Sequence, residues 1–409
     1  MKYFVDTINF KKNDELNELI LKGKNLIISG NNGSGKTKLL ERIYDFIVTS
    51  LSSHNLHTSE QINVEINNYK DQLRYTQRGA GNYNFLNSEI KRLEETLVEF
   101  DNFDVIYNDL VEFRISIKER NSIVRFFPAI REAKIVNDGK ISSLKSLLEE
   151  YALAQKNNFK IEAGMFFERY IVTLWNNALV NKGVGNDSDS ERVFSTIRSI
   201  DKDLKSLFED ESIKMDFNLD ELKIYLLQDD KEPFGLDKLS SGFSSILSIY
   251  TDLLIKAELD KILKDDMTGI VLIDEIDAHL HVTLQKKVFS FFSSSFPKMQ
   301  FIISTHSPFV IQSVSDAVIF NLSTLEQMED LSLYSYTSII KGLLGEDASS
   351  DKLLELMREL MVLTDKNKFN NRFLELLDIL SKNIDSLDNS SKSALMIAKS
   401  KFLDFSEAE

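Results

Sequence analysis

Three short apolar runs, at 25–29, 270–273 and 301–303, stand out from the mixed pattern of the chain, and polar residues end each of them abruptly. Runs of this length, rich in Ile, Leu and Val, read as strands of a parallel sheet buried on both faces. Elsewhere the period is helical. Residues 38–48 have it, and residues 88–100 place Ile90, Leu93, Leu97 and Phe100 on one face. The stretches 141–180, 190–210, 352–363 and 369–380 repeat apolar positions at three and four. Alternation at 113–117 and 123–127 predicts two strands joined by a polar turn, and 214–217 with 221–227 predicts a hairpin. The Gly, Asn, Asp and Ser residues of 181–190 predict a flexible loop. The expected organisation is an α/β head split between 1–60 and 205–345. A mostly helical insertion or lid fills 61–204, and a helical docking region occupies 346–409.

The polar ends of the three apolar runs carry the chemistry. After the first run, Gly30, Gly35, Lys36 and Thr37 match G-x-x-x-x-G-K-[ST], between a strand and a helix as this motif requires. Glycines allow a tight turn whose N–H groups point inward, and the following helix adds its N-terminal dipole. Asn32, Gly33, Ser34 and Gly35 are thus expected to cradle phosphates. Lys36 is expected to bridge the β- and γ-phosphates, and the Thr37 hydroxyl to ligate Mg²⁺. A chance glycine turn is the bland alternative, and the flanking strand and helix argue against it. The second run ends in Asp274 and Glu275, suited to a Mg²⁺ shell and to polarising a water aimed at the γ-phosphate. The third ends in Ser304, Thr305 and His306, and the histidine is placed to sense that phosphate and orient the water. A lone histidine after a strand is usually structural; parallel strand ends meeting at one ligand favour function here.

Between these lies Leu239-Ser240-Ser241-Gly242-Phe243. Phosphate loop, this signature, the acidic pair and the histidine, in that order, resemble the head of an ABC-type ATPase, a P-loop NTPase fold. The resemblance implies that Ser240 and Gly242 bind the γ-phosphate held by an opposite subunit, and that residues 277–281 form a D-loop facing that subunit. The cofactors implied are ATP and Mg²⁺, and the assembly a homodimer or a higher oligomer. Phe243 stands where transporters usually carry glutamine. Together with Thr305-His306-Ser-Pro it is similar to the AAA-type, OLD-like, SMC-related bacterial branch, which includes anti-phage defence ATPases such as Septu-type PtuA and PARIS AriA. The segment after 345 is too short for the Toprim nuclease domain of OLD proteins. A separate effector protein, such as a nuclease, is the corollary.

Composition narrows the setting. With 43% apolar residues over 409 positions the chain can bury a large core, and with no cysteine it has neither disulfides nor thiolate metal sites. No run nears the roughly 18 apolar residues that span a bilayer, and the first residues lack a signal-peptide pattern, so a cytoplasmic protein is expected. A net charge of −15 argues against simple nucleic-acid binding. Arg114, Lys118, Arg120, Arg125, Arg131 and Lys134 could form a local basic groove, although an ordinary solvated face is the plainer reading. DNA clamping in genome maintenance and an ATP-stabilised scaffold therefore stay open beside the sensor reading. Residues 128–131 and Gln77 are rival candidates for the loop linking lid to nucleotide. The adenine contact is unassigned: Tyr3, Phe4 and Phe10 are aromatics near the start, but most such residues are core.

Overall fold

The computed structural model describes residues 4–408, apart from 53–58, 77–80, 132–134, 136–141, 158–162, 330, 332–333, 335, 341–350, 385–386 and 388. Gln77, Tyr3 and Lys134 lie outside the described residues. The chain forms two compact units, Met1–Tyr336 and Thr337–Glu409.

The first unit is built on a six-stranded sheet, ordered β12-β11-β3-β10-β9-β5. These are β3 (Asn25–Ser29), β5 (Ser122–Phe127), β9 (Thr268–Ile273), β10 (Met299–Ser304), β11 (Ala317–Asn321) and β12 (Glu326–Glu329). All pair in parallel except β12. The three apolar runs of the sequence are β3, β9 and β10, and β10 lies between the other two. Parallel strands buried on both faces need apolar residues at every position, which explains the unbroken runs. Three antiparallel strands, β1 (Val5–Lys12), β2 (Glu15–Ile20) and β4 (Phe103–Tyr107), form a second sheet. Helix α1 (Lys36–Ser52) shares one core with both sheets, through Leu40, Ile43 and Ile47 against Ile8, Phe103, Ile28 and Ile302. Phe4 and Phe10 are buried in that core, which leaves them no role toward adenine.

The span 61–204 supplies strands to both sheets as well as helices. Helices α2 (Ser59–Arg74) and α3 (Gly81–Asn102) pair over a small core of Ile62, Ile66, Ile90 and Leu93 before the chain returns as β4. Residues 113–117 are not a strand. They lie in α4 (Leu110–Lys118), which Asp109 caps by accepting from the Glu112 N–H at 2.8 Å. Phe113 stacks on Phe4 with centroids 3.9 Å apart, and this packing decides for helix over the alternating pattern. The second predicted strand is β5, paired with β9 rather than with a hairpin partner.

After α5 (Leu144–Asn157), α6 (Gly164–Gly183) runs almost directly into α7 (Asp187–Phe208). The predicted loop at 181–190 is therefore a three-residue turn. Asp187 and Asp189 sit in the first turn of α7, where carboxylates favour a helix start, and Ser190 donates to the Ala178 carbonyl at 2.8 Å. The predicted hairpin is present as β6 (Lys214–Asn218) with β7 (Lys223–Leu227). Helix α8 (Ser241–Asp260) follows, buried on nearly every face from Gly242 to Ala257.

The second unit contains three amphipathic helices, α13 (Asp351–Asp365), α14 (Asn371–Lys382) and α15 (Asn389–Ala408). Their leucines close on Leu360, Phe373, Leu376, Leu380 and Leu395 in a core of their own.

Candidate nucleotide site at the strand ends

The C-terminal ends of β3, β10 and β9 carry the three polar motifs side by side. Between β3 and α1 the loop turns through Gly30, Gly33 and Gly35, with φ of +137°, +77° and +98°. At Gly30 space is tight as well, because a β-carbon would lie 3.0 and 3.1 Å from the Ser323 and Ser34 hydroxyls. Lys36 is buried at the centre of the loop and donates to the carbonyls of Gly30 (2.8 Å) and Asn31 (3.0 Å). Asn32, Gly33 and Thr37 are exposed, and Ser34 and Gly35 half-buried. Burial lowers the Lys36 pKa, while the charges of Glu275, Asp274 and Asp277 pull it back up. The acidic pair thus stands close enough to feel the phosphate-loop lysine.

Asp274, 1% exposed, follows β9, and its N–H donates to the Phe127 carbonyl at 2.8 Å. The Ser304 hydroxyl donates to the Asp274 carboxylate and accepts from the Glu275 N–H at 2.8 Å. One serine at the end of β10 therefore holds the Asp274 carboxylate and the Glu275 backbone, a role its motif position alone did not reveal. Next to it, the Thr305 hydroxyl donates to Asp277, and the Thr305 N–H reaches the Ile28 carbonyl of β3 at 3.1 Å. Half-buried His306 has its pKa lowered, first by burial and then by the charge of Lys36, so the neutral imidazole is favoured. Asp277, Glu275 and Asp274 act on the same ring in the opposite sense. Lys36, Asp274, Glu275, Asp277 and His306 form one electrostatic cluster.

The donor set suits Mg²⁺. Among the described residues no group of three acidic, His or Cys side chains forms a protein cage for a metal. Mg²⁺ characteristically takes one or two carboxylates and completes its shell with substrate phosphates and water. Asp274, held by a single serine hydroxyl, and the exposed Thr37 hydroxyl after the phosphate loop supply that partial set. Lys12, at the end of β1, was not foreseen. It donates to the carbonyls of Ser34 (3.0 Å) and Leu322 (2.5 Å), and only the pairing of β1 brings it to the loop.

Ser240 and Gly242 open α8. Ser240 is exposed and its side chain makes no capping bond to the helix. Gly242 is buried against the 277–281 segment, where a β-carbon would lie 3.1 Å from the His279 carbonyl. Phe243 stacks on Phe208 at 4.3 Å, which accounts for an aromatic at this place. His279 is exposed with φ +63°, and His281 caps the turn at Val282–Gln285. Three members of the predicted basic groove are engaged internally. Arg114 donates to the Ser50 carbonyl, Arg125 pairs with buried Asp252, and Arg131 donates to the carbonyls of Pro128, Asp274 and Glu275. Residues 128–131 thus do return from β5 to the acidic pair. No helix among the described residues is long and apolar enough to cross a membrane.

The chain is 25% identical over 260 residues to the Retron Vc95 probable ATPase of Vibrio cholerae serotype O1 biovar El Tor, covering 63% of this chain and 45% of that one. It is 34% identical over 138 residues to the Septu protein PtuA of Bacillus mycoides, covering 32% and 18%. The chain therefore spans less than half the length of either relative. A solved SMC head bound to the C-winged helix domain of ScpA aligns over 78% of this chain and 93% of that one, at 13% identity and a TM-score of 0.34. A family model described as "AAA domain, putative AbiEii toxin, Type IV TA system" matches residues 26–312, from β3 through the phosphate loop, the acidic pair and His306. The chain belongs to that AAA-domain family, with an α/β P-loop NTPase fold.

Proposed function

We propose that the chain is an ATPase whose nucleotide state gates the association of two copies and thereby regulates a separate effector protein in anti-phage defence. The observation that supports this most is the convergence of Lys36, Asp274, Glu275 and His306 at three adjacent strand ends. In this reading the phosphate loop from Asn32 to Thr37 holds the nucleotide, with Thr37 and Asp274 holding Mg²⁺. The cation would neutralise charge that builds on the phosphates. Glu275 takes a proton from the attacking water, and neutral His306 orients that water.

Exposed Ser240 and the turn at Gly242 reach the nucleotide of a second copy, so ATP contacts differ between open and closed forms. Only such a difference can shift the balance between them. The similarity to a retron ATPase and a Septu protein supports the defence setting. The three-helix unit, with Leu374, Ile379, Met396 and Leu403 exposed, is the region assigned to partner docking. The cytoplasm is the natural place for such a protein.

The test combines the solution mass and turnover of Glu275→Gln with and without Mg²⁺-ATP. Loss of a general base lowers turnover by ~10²- to 10⁴-fold. The expected result is that loss together with an ATP-dependent doubling of mass. Parental turnover removes the role of Glu275; an unchanged monomer removes that of Ser240. An unchanged large assembly favours a scaffold.

A further inference from the structure

Glu275 occupies the left-handed backbone region, φ +44°, which a long side chain rarely adopts without outside support. Two neighbours supply it. Ser304 accepts from its N–H at 2.8 Å, and Arg131 Nη2 donates to its carbonyl at 2.9 Å. That carbonyl also accepts from the Ala278 N–H at 2.9 Å, closing the turn after the acidic pair. Through Nη1 the same guanidinium donates to the carbonyls of Asp274 (2.8 Å) and Pro128 (2.9 Å). Through Nε it donates to the Ser245 hydroxyl at 3.2 Å, and Ser245 is buried in α8, the helix that Ser240 and Gly242 open.

Arg131 therefore sits where β5, the acidic pair and the signature helix meet. The acceptors of these bonds are three carbonyls and a hydroxyl, not a carboxylate. Burial brings the Arg131 pKa down to about 10, opposed by the charges of Asp274, Asp277 and Glu275, so the group stays charged at neutral pH. A planar fork spans such divergent acceptors, whereas a lysine ammonium is a single point of charge.

We propose that Arg131 is a positioning residue for ATP hydrolysis: one guanidinium fixes the backbone of Glu275 and ties it to helix α8. The proposal rests on the reading of Glu275 as the hydrolytic base. A shift of α8 on engaging a second copy would be felt at the acidic pair through this side chain. The group touches neither water nor phosphate in this role, so its removal lowers kcat rather than nucleotide affinity.

The experiment compares wild type, Arg131→Ala, Glu275→Gln and the double variant. It measures kcat and KM for Mg²⁺-ATP, equilibrium binding of a fluorescent ATP analogue, and amide hydrogen exchange over 244–249 and 274–278. Displacement of a catalytic group by about 1 Å costs on the order of 100-fold. The expected result is a kcat lower by ~10- to 100-fold in Arg131→Ala, with affinity within about threefold of wild type. Both segments exchange faster, and the double variant is no slower than Glu275→Gln alone. The proposal is overturned by a kcat within about twofold of wild type, or by affinity falling in step with kcat. It is also overturned if either segment keeps its exchange rates. Should Arg131→Ala fail to fold, Arg131→Lys keeps the charge without the fork and gives the same pattern with a smaller loss; wild-type values throughout would sink the idea. If the wild-type chain hydrolyses no ATP, the role of Glu275 fails, while the exchange measurement still decides whether the clamp exists.

Discussion

The strand ends of the first unit and the centre of the three-helix unit are both buried, yet they are made of opposite materials. At the strand ends Lys36, Asp274, Ser304 and Thr305 lie at 5% exposure or less, each held by hydrogen bonds or opposite charges. In the helical unit Leu360, Phe373, Leu376, Leu395 and Ala398 are buried together, and Phe369 packs edge-on against Phe373 and Phe402. A buried polar group is costly unless partnered, whereas an apolar one stabilises by area and shape alone. Losing an atom at the first place removes an orientation. At the second it removes volume.

Three substitutions sharpen that contrast, beyond the loss of turnover expected of Glu275→Gln. Phe373→Ala opens a cavity in the helical unit, at a cost of about 3–5 kcal/mol. Thermal unfolding followed across the two units should show the early transition confined to 351–408, with nucleotide binding unchanged; loss of binding in parallel would break the separation. Ser304→Ala changes far less volume but leaves the Glu275 N–H without its acceptor, at about 1–3 kcal/mol. Its turnover should fall by more than its melting temperature suggests, and steady-state rates beside calorimetry check this.

The smallest effect belongs to the half-buried ring of His306, whose folded pKa is depressed below the ordinary 6.5. On acidification the unfolded chain takes up this proton first, so stability from the neutral ring is complete above about 6.5 and is lost as pH falls through the folded value. Melting temperature and kcat measured from pH 8 to 5 should decline in that window, and His306→Gln should decline less. Identical profiles would remove the titration from the account.

The same contrast explains what could be read in advance. The phosphate loop, the acidic pair and the Ser-Thr-His end were legible because their chemistry is contiguous and their strands are uniformly apolar. The order β3-β10-β9, which puts them side by side, was not written in any one segment. Residues 113–117 misled because Phe113, Ile115 and Ile117 alternate as in a strand. A cap at Asp109 and the stacking of Phe113 on Phe4, more than a hundred positions earlier in the chain, settle the helix. The turn between α6 and α7 was hidden in the same way, since Gly183 and Gly185 suggest a loop while the following acids begin a helix. Lys12 and Arg131 belong to the site by tertiary placement, and neither lies in a motif.

The contact between Gly242 and the His279 carbonyl carries a consequence for recognition. Two turns, one ending at exposed Ser240 and one at exposed His279, pack so closely that a β-carbon at Gly242 would lie 3.1 Å from the His279 carbonyl. A side chain at position 242 would push them apart, so the glycine sets how near the two polar edges lie. A second copy docking there, as proposed above, would meet both edges at once. Backbone already packed within the single chain would leave less ordering entropy to lose on such docking.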